Sequence, residues 1–150
     1  MRKLSSVSFQ TFLGTKLKPH NFKHYARGPK YCNTLLTHIR VGRSYLKSHS
    51  FSIGLSDTNI CSCNSKVVES PLHYITLCPN FTEMRKTLFD QVEQNYIPQF
   101  KKLSLRRQFE ILVYGYQPYD PELTVINTKL SILTQNFILK TKRFAEQILS

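Results

Sequence analysis

Three cysteines and one histidine in the middle of the chain constrain its fold more than any other feature. Cys61, Cys63, His73 and Cys78 follow the spacing C-x-C-x9-H-x4-C. Thiolate and imidazole groups are preferred ligands of zinc, and four of them complete a tetrahedral shell with no open position. A closed shell stabilises a fold and leaves no place on the metal for a substrate. We therefore predict one structural zinc ion held by these four residues.

Disulfide formation is the main alternative use for the 4 cysteines of the chain. The C-x-C pair has too short a tether for an ordinary disulfide. The first residues, MRKLSSVSFQTFL, also lack the continuous apolar core of a secretory signal, which favours a reducing compartment. Zinc ligation therefore explains the spacing better. The remaining alternative is that these cysteines are free thiols and that His73 is a surface imidazole.

The fourth cysteine, Cys32, belongs to a different pattern. Four apolar residues recur at the spacing of one helical face: Cys32, Leu35, Leu36 and Ile39. Gly42 follows them and suits the C-terminal end of a helix. We therefore predict a helix after Pro29, with Cys32 packed in the core and not bound to the metal.

Similar periodicity continues along the chain and predicts a mainly α protein. The further predicted helices are a short one capped by Ser44 with Leu46 inward, a turn after Ser70-Pro71 that carries His73 and Cys78, one from about Pro79 to residue 94, one from Leu105 to Gly115, and a long one from Asp120-Pro121 to Ile148. No alternation of strands with helices and no glycine-rich phosphate loop is present. We expect an irregular basic segment over residues 1–28, followed by a small multi-helix domain over residues 29–150 with a zinc-stabilised elbow.

The distribution of charge indicates a polyanionic partner. Lys and Arg together number 21 and Asp and Glu number 9, which gives a formal net charge of +12. The first fifty residues contain no acidic residue, and their ten basic residues are Arg2, Lys3, Lys16, Lys18, Lys23, Arg27, Lys30, Arg40, Arg43 and Lys47. Such a stretch repels itself unless a polyanion such as nucleic acid neutralises it. The alternative is a solvated basic surface that aids solubility.

The basic N-terminal third and the elbow are therefore the predicted contacts for nucleic acid. The candidate residues are Lys23, Arg27, Lys30, Arg40, Arg43, Lys47, Arg85 and Lys86. Four histidines lack a useful spacing to any cysteine: His20, His24, His38 and His49. We expect His20 and His24 to be exposed to solvent or to phosphate.

Catalysis finds little support in the sequence. The three aspartates, Asp57, Asp90 and Asp120, are far apart, whereas two-metal nucleases and polymerases need clustered carboxylates. A zinc hydrolase would need an open position on the metal, which the four-ligand set does not leave. The sequence contains no run of eighteen apolar residues, so it does not predict a membrane span. We expect a non-catalytic protein without a small-molecule substrate.

Several segments occur in a characteristic order over about residues 25–145. They are Gly28-Pro29-Lys30, LLTHIRVGRSYL at 35–46, CSCN at 61–64, HYITLCPNF at 73–81, RKTL at 85–88, LVYG at 112–115 and FILKTKRF at 137–144. In order and spacing they resemble the C-terminal region of reverse transcriptases from non-LTR (LINE-type) retrotransposons of animals. Asn64 stands where that family usually has glycine. We expect Asn64 to adopt the left-handed backbone conformation, which asparagine tolerates.

The resemblance implies a zinc knuckle that holds element RNA or target DNA during target-primed reverse transcription. It also implies an intracellular location, in a cytoplasmic ribonucleoprotein or in the nucleus. The Tyr-x-Asp-Asp carboxylates of the polymerase and the acidic and histidine residues of an endonuclease do not occur in these 150 residues. We therefore expect a nucleic-acid-binding part of a reverse transcriptase without its catalytic parts. The alternative is a helical protein-interaction module that uses zinc only for stability.

Overall fold

Residues 23–149 are described by the structure, a computed structural model, and they fold mainly into helices. The α-helices are α1 Lys30–Arg40, α2 Lys47–Ser52, α3 Thr82–Asn95, α4 Leu105–Tyr114, α5 Thr124–Thr141 and α6 Ala145–Leu149. Short 3-10 helices span Lys23–Ala26, Pro79–Phe81, Phe100–Lys102 and Pro121–Leu123, and a π-helix spans His73–Leu77. Extended pairing within residues 23–149 is limited to one isolated antiparallel bridge between Ile60 and Val68. The prediction of a mainly α protein is confirmed.

Helix α5 is the centre of the molecule. It packs against α1, α3, α4 and the 3-10 helix Lys23–Ala26. Its buried residues therefore lie on several sides of the helix. The apolar ones are Leu130, Phe137 and Ile138, and the polar ones are Asn127, Ser131, Thr134, Gln135 and Thr141. Several of the polar groups bond to distant parts of the chain: the Thr134 hydroxyl donates to the carbonyl of Leu112 at 2.8 Å, and the Gln135 amide donates to the carbonyl of Arg27 at 2.9 Å. Sequence periodicity shows the apolar members of this helix but not its central position.

Helix α1 matches its prediction closely. Its buried apolar residues are Cys32, Leu35, Leu36 and Ile39, and Cys32 is 0% exposed. Gly42, with φ +74°, ends the helix by donating its N–H to the carbonyl of Ile39 at 3.2 Å. The N–H of Arg43 donates to the carbonyl of His38 at 2.9 Å, which completes a Schellman motif. The predicted core position of Cys32 is confirmed.

The long C-terminal helix of the sequence prediction is interrupted. Helix α5 ends at Thr141, Lys142 takes a left-handed conformation with φ +56°, and α6 begins at Ala145. Phe144 lies in this break and is 1% exposed. Its apolar side chain continues the buried stripe although the helix does not, so periodicity alone indicated one helix where two exist.

The predicted irregular segment over residues 1–28 falls mostly outside the described residues, and His20 does so too. Its described end forms the 3-10 helix Lys23–Ala26, which packs against α5 and α1. His24 is only 2% exposed, and its Nε2 bonds the carbonyl of Tyr114 at 3.1 Å. The expectation that His24 is exposed is therefore wrong. Within residues 23–149, no helix is both long and apolar enough to span a membrane.

Candidate metal centre

A short antiparallel loop carries the first two predicted ligands. The N–H of Cys61 donates to the carbonyl of Val67 at 2.8 Å, and the N–H of Glu69 donates to the carbonyl of Asn59 at the same distance. These bonds close a knuckle over residues 59–69 with Cys63 near its tip. The left-handed residue of the knuckle is Lys66, with φ +57°, so the prediction for Asn64 is wrong.

A π-helix places the other two ligands on one side. The N–H of Cys78 donates to the carbonyl of His73 at 2.7 Å, a hydrogen bond between residues five apart. In an α-helix a separation of five residues turns the second side chain away from the first by roughly 140°. The wider π turn instead brings His73 and Cys78 to the same side. Ser70 supports its start by accepting the N–H of His73 at 3.1 Å.

The same π-helix is anchored in the core by Tyr74. Its ring is 0% exposed and lies 5.7 Å and 5.6 Å from the rings of Phe137 and Phe144. Its hydroxyl shares a 2.6 Å hydrogen bond with Thr141 at the end of α5. Residues that face the core and residues that face the metal centre therefore alternate around one short helix, which fixes His73 relative to the rest of the fold.

Four ligand atoms converge where the knuckle meets the π-helix. The atoms offered by Cys61, Cys63, His73 and Cys78 all lie within 4.8 Å of one another, and all four residues are buried. The Sγ atoms of Cys61 and Cys78 are 3.7 Å apart, and Sγ of Cys63 is 3.4 Å from Nε2 of His73. A tetrahedral ion with metal–sulfur bonds of ~2.3 Å separates two sulfurs by roughly 3.8 Å. The four residues are therefore close enough to hold a metal ion, in an arrangement compatible with structural zinc.

The thiol groups of the centre differ in acidity. Burial raises the pKa of Cys61 and raises that of Cys78 to about 12. Hydrogen bonds from the side chain and backbone of Ser65 lower the pKa of Cys63 to about 6. Three sulfurs this close cannot all carry negative charge unless a cation lies among them. A divalent metal would supply that charge, and its binding would release the protons of Cys61 and Cys78.

Arg85 supports the π-helix from α3. Its guanidinium donates to the carbonyl of Ile75 at 2.9 Å and to that of Tyr74 at 3.2 Å. The residue is 9% exposed. The interior position gives the guanidinium a structural role as a partner for the carbonyls of the π turn. The prediction that Arg85 contacts phosphate is therefore corrected.

A partly buried ion pair joins the knuckle to the C-terminal part of the chain. Arg143, in the break between α5 and α6, donates to both carboxylate oxygens of Glu69 at 2.7 and 2.8 Å. The same carboxylate accepts the N–H of Lys47 at 2.8 Å. Burial alone would raise the pKa of Glu69, but these hydrogen bonds outweigh it and hold the pKa below its ordinary value.

Sequence reasoning did not assign a structural role to Glu69, Arg143 or Arg85. Glu69 is one of only 9 acidic residues in the chain and lies between the predicted ligands, which was a usable signal. Arg143 was recognised only as part of the FILKTKRF segment. The pairing of these two residues could not be found from local patterns, because 74 positions separate them.

The other candidates for nucleic-acid contact, apart from Arg40, differ in their exposure to solvent. The exposed ones are Arg27, Lys30, Arg43 and Lys86, and Lys47 is half-buried. Lys86 pairs with Asp90 at 2.9 Å. Lys23 begins the first 3-10 helix, but its side chain lies outside the description. Within the described residues, the exposed cations near α1 remain the best candidates.

Arg40 is the second candidate that the structure places inside the protein. It is 3% exposed, and its Nε donates to the carbonyl of Val113 at 2.7 Å. Its guanidinium also lies 3.8 Å above the ring of Tyr25. These contacts tie α1 to α4 and to the first 3-10 helix. Arg40 therefore cannot reach a phosphate in this structure, which corrects its prediction as a nucleic-acid contact.

Comparison with models of protein families, with curated proteins and with solved structures finds no match to this chain.

Proposed function

We propose that this chain is the zinc-stabilised, nucleic-acid-binding C-terminal region of a retrotransposon reverse transcriptase, without the polymerase and endonuclease catalytic parts. One observation carries the proposal: the Cys and His residues that follow the family spacing are buried, and their ligand atoms lie within 4.8 Å of one another, close enough to hold a metal ion. The resemblance supplies the rest of the assignment, since its segments extend over about residues 25–145 in the family order.

Charge supports a polyanionic partner. The chain carries a net charge of +12, and residues 1–50 contain no acid to neutralise the exposed Arg27, Lys30 and Arg43. Cations at the surface attract phosphates and release counterions when they bind, which makes such binding strongly dependent on salt. A structural metal would stabilise the fold that presents these cations, and the metal itself would take no part in catalysis.

The metal itself is tested first. The purified chain is expected to bind one zinc ion per molecule, and Cys78→Ser is expected to lose most of it, because a serine hydroxyl is a poor replacement for a thiolate. Elemental analysis and thermal unfolding measure both effects. Cys32→Ser is the matched control, since Cys32 lies in the core apart from the centre, and it should keep stoichiometric zinc. Full zinc content in Cys78→Ser would contradict the assignment.

Nucleic-acid binding is tested by its dependence on salt. With about four phosphate contacts, the logarithm of affinity should fall with the logarithm of salt concentration at a slope of roughly −3 to −4. The double variant Arg27→Glu, Arg43→Glu should weaken binding to all sequences alike, because phosphate contacts carry no base information. Reversal of two other exposed lysines, Lys102 and Lys129, gives the same change of net charge and should weaken binding less.

A second function is supported by one surface observation. Phe51 in α2 and Ile53 and Leu55 in the segment that follows it are 46%, 49% and 74% exposed. Exposed apolar residues in sequence favour a protein partner. A folded, zinc-loaded chain whose nucleic-acid binding is absent or insensitive to salt would support the protein-interaction module and contradict the proposal above.

A further inference from the structure

A cleft of about 380 Å³ opens beside the first turns of α1, and its lining includes none of the four metal ligands. Its walls come from α1, from Tyr45 in the loop before α2, and from Gln147 in α6. The volume lies within the roughly 300–1,000 Å³ of ordinary ligand sites. The cleft is built from three parts of the chain, so the fold determines its shape.

Two tyrosines dominate the lining of the cleft. Tyr31 and Tyr45 are 48% and 45% exposed, so much of each side chain is accessible to solvent. The imidazole of His38 holds the ring of Tyr45 from the side, with centroids 6.0 Å apart and planes at 66°. A tyrosine offers a large, flat contact surface at a low cost in conformational entropy, because its side chain has only two torsions to order. Flat aromatic ligands are the chemical class that such a surface binds best.

Charge narrows the class of ligand further. Lys30 is exposed and lines the same cleft, and no acidic residue is among the lining residues. A ligand that combines a flat ring with a negative group fits both features. Unpaired nucleotides have this combination, and proteins bind single strands by pairing aromatic stacking with a basic groove.

We propose that this cleft binds an unpaired base of single-stranded nucleic acid. The base stacks on Tyr31 or Tyr45, and the Lys30 ammonium binds an adjacent phosphate. The inference rests on the proposed function and adds a preference for single strands and the site that produces it. The same chemistry serves RNA and DNA, so the experiment includes both.

The experiment measures the affinity of the zinc-loaded full chain for fluorescein-labelled oligouridine, oligothymidine, a duplex of equal length and an abasic strand. Wild type should bind both single strands more tightly than the duplex and the abasic strand. Tyr31→Leu and Tyr45→Leu, tested singly, should lower single-strand affinity by roughly 5- to 150-fold at the residue that stacks, the range measured for removal of one aromatic–base stack. Duplex affinity should change less than twofold.

Two further variants separate stacking from charge. Tyr→Phe at the stacking position keeps the ring and should restore affinity to within about twofold of wild type. Lys30→Ala should lower the single-strand salt slope by about 0.7, the value for one phosphate contact, whereas Tyr→Leu should leave the slope unchanged. Tyr119→Leu is the matched control, because Tyr119 is 63% exposed and does not line the cleft. It should bind as wild type does.

The outcomes distinguish this inference from the proposed function. Salt-dependent binding that is equal for single strands and duplex, and unaffected by both Tyr→Leu variants, would overturn the cleft and retain the proposed function. Absence of salt-dependent binding would overturn both. A preference for oligouridine over oligothymidine, or the reverse, that is lost in the Tyr→Leu variant would support the cleft and identify its nucleic acid. If 5-bromouridine in the oligonucleotide cross-links under ultraviolet light only to residues outside the cleft, the inference is also overturned.

Discussion

At the scale of single residues, Arg40 shows how a predicted surface cation becomes part of the interior. Its partners are neutral: the Val113 carbonyl at 2.7 Å, the Ser131 hydroxyl at 3.4 Å and the Tyr25 ring. Burial lowers the pKa of Arg40 to about 10, so the side chain keeps its charge at neutral pH. The guanidinium is more weakly hydrated than an ammonium and can donate in several directions, which makes arginine the basic residue best suited to such a site.

Cys32 provides a residue-scale test of the buried stripe of α1. Cys32→Ala should lower the free energy of unfolding by about 1 kcal/mol, the cost of a small cavity. Cys32→Asp should cost several kcal/mol more, because it would bury an unpaired carboxylate. Urea denaturation measures both. Thr37→Asp, on the exposed side of the same helix, is the control and should cost roughly 0.5 kcal/mol or less. Equal effects at the two positions would contradict a buried Cys32.

His24 predicts a dependence of stability on pH. Burial lowers the pKa of His24 to about 4, although the hydrogen bond to Tyr114 partly opposes this. The unfolded state, with a histidine pKa of about 6.5, binds more protons between these values. Stability from this residue is therefore complete above about pH 6.5 and falls as the pH decreases toward 4.

The test compares wild type with His24→Gln at one fixed free zinc concentration. Between pH 7.5 and 5.5, wild type should lose about 1 kcal/mol more free energy of unfolding than the variant. Comparing the two proteins cancels the acid sensitivity of the metal ligands, which they share. Parallel stability curves over this range would show that His24 is not buried in its neutral form.

At the scale of elements, the π-helix and the knuckle depend on supports outside themselves. The π turn aligns His73 with Cys78. Arg85, which lies in α3, donates hydrogen bonds to the carbonyls of Tyr74 and Ile75. The knuckle is held by the carboxylate of Glu69, which accepts from Arg143 and from the N–H at the start of α2. The metal centre is therefore attached to the helical core through two arginines, one on each side.

The Glu69–Arg143 pair predicts unequal effects for its two partners. Arg143→Met should lower the free energy of unfolding by about 3 kcal/mol, because it leaves the Glu69 carboxylate without its cation. The side chain of Glu69 is only 4% exposed. Glu69→Gln should cost less, since the Arg143 side chain is 24% exposed and can turn to water. The double variant should cost less than the sum of the two changes.

Arg106→Met provides the control for this double-mutant cycle. Arg106 pairs with Glu110 at 3.6 Å, but the Arg106 side chain is 59% exposed. The free energy of unfolding should therefore fall by less than about 1 kcal/mol. Thermal or urea unfolding of the zinc-loaded proteins measures all the variants. Additive effects of the Glu69 and Arg143 changes would show that the pair does not act as a unit.

At the scale of the whole molecule, the cysteine cluster is separate from the main core. Cys61, Cys63 and Cys78 form their own buried group, with Phe81 packed against it. The main core contains the buried residues of the central helices, including Leu112, Leu130 and Phe137. The two groups adjoin at the π-helix, where Tyr74 and Ile75 enter the main core, and at Phe81, which packs against both groups.

This separation predicts the effect of removing the proposed zinc ion. Chelation should abolish hydrogen-exchange protection of the Cys61 and Glu69 amides in the knuckle and of the Cys78 amide in the π turn, because their hydrogen bonds depend on the local structure around the four Cys and His residues. Amides of α4 and α5 should keep most of their protection, because the main core contains no ligand. Addition of excess zinc should restore the knuckle. Loss of protection throughout the chain on chelation would contradict two separable cores.

The sequence by itself determined the features whose determinants are close together. The spacing of Cys61, Cys63, His73 and Cys78 identified the buried cluster, and four apolar residues of α1 identified a helix, its buried face and its glycine end. The inference for α1 succeeds because side chains a few positions apart have fixed relative directions on a helix. The inference for the cluster succeeds because these residue types at this spacing are suited to joint ligation of one metal ion.

Only the tertiary structure decided which basic residues face inward and which polar residues are buried. Arg40 and Arg43 are three positions apart and chemically identical, yet Arg40 is buried and Arg43 is exposed. The partners of Arg40, Val113 and Ser131, lie 73 and 91 positions away, and no local pattern records them. The central position of α5 and the ion pair of Glu69 with Arg143 have the same origin. Burial depends on which distant elements pack together, and that packing exists only in the folded chain.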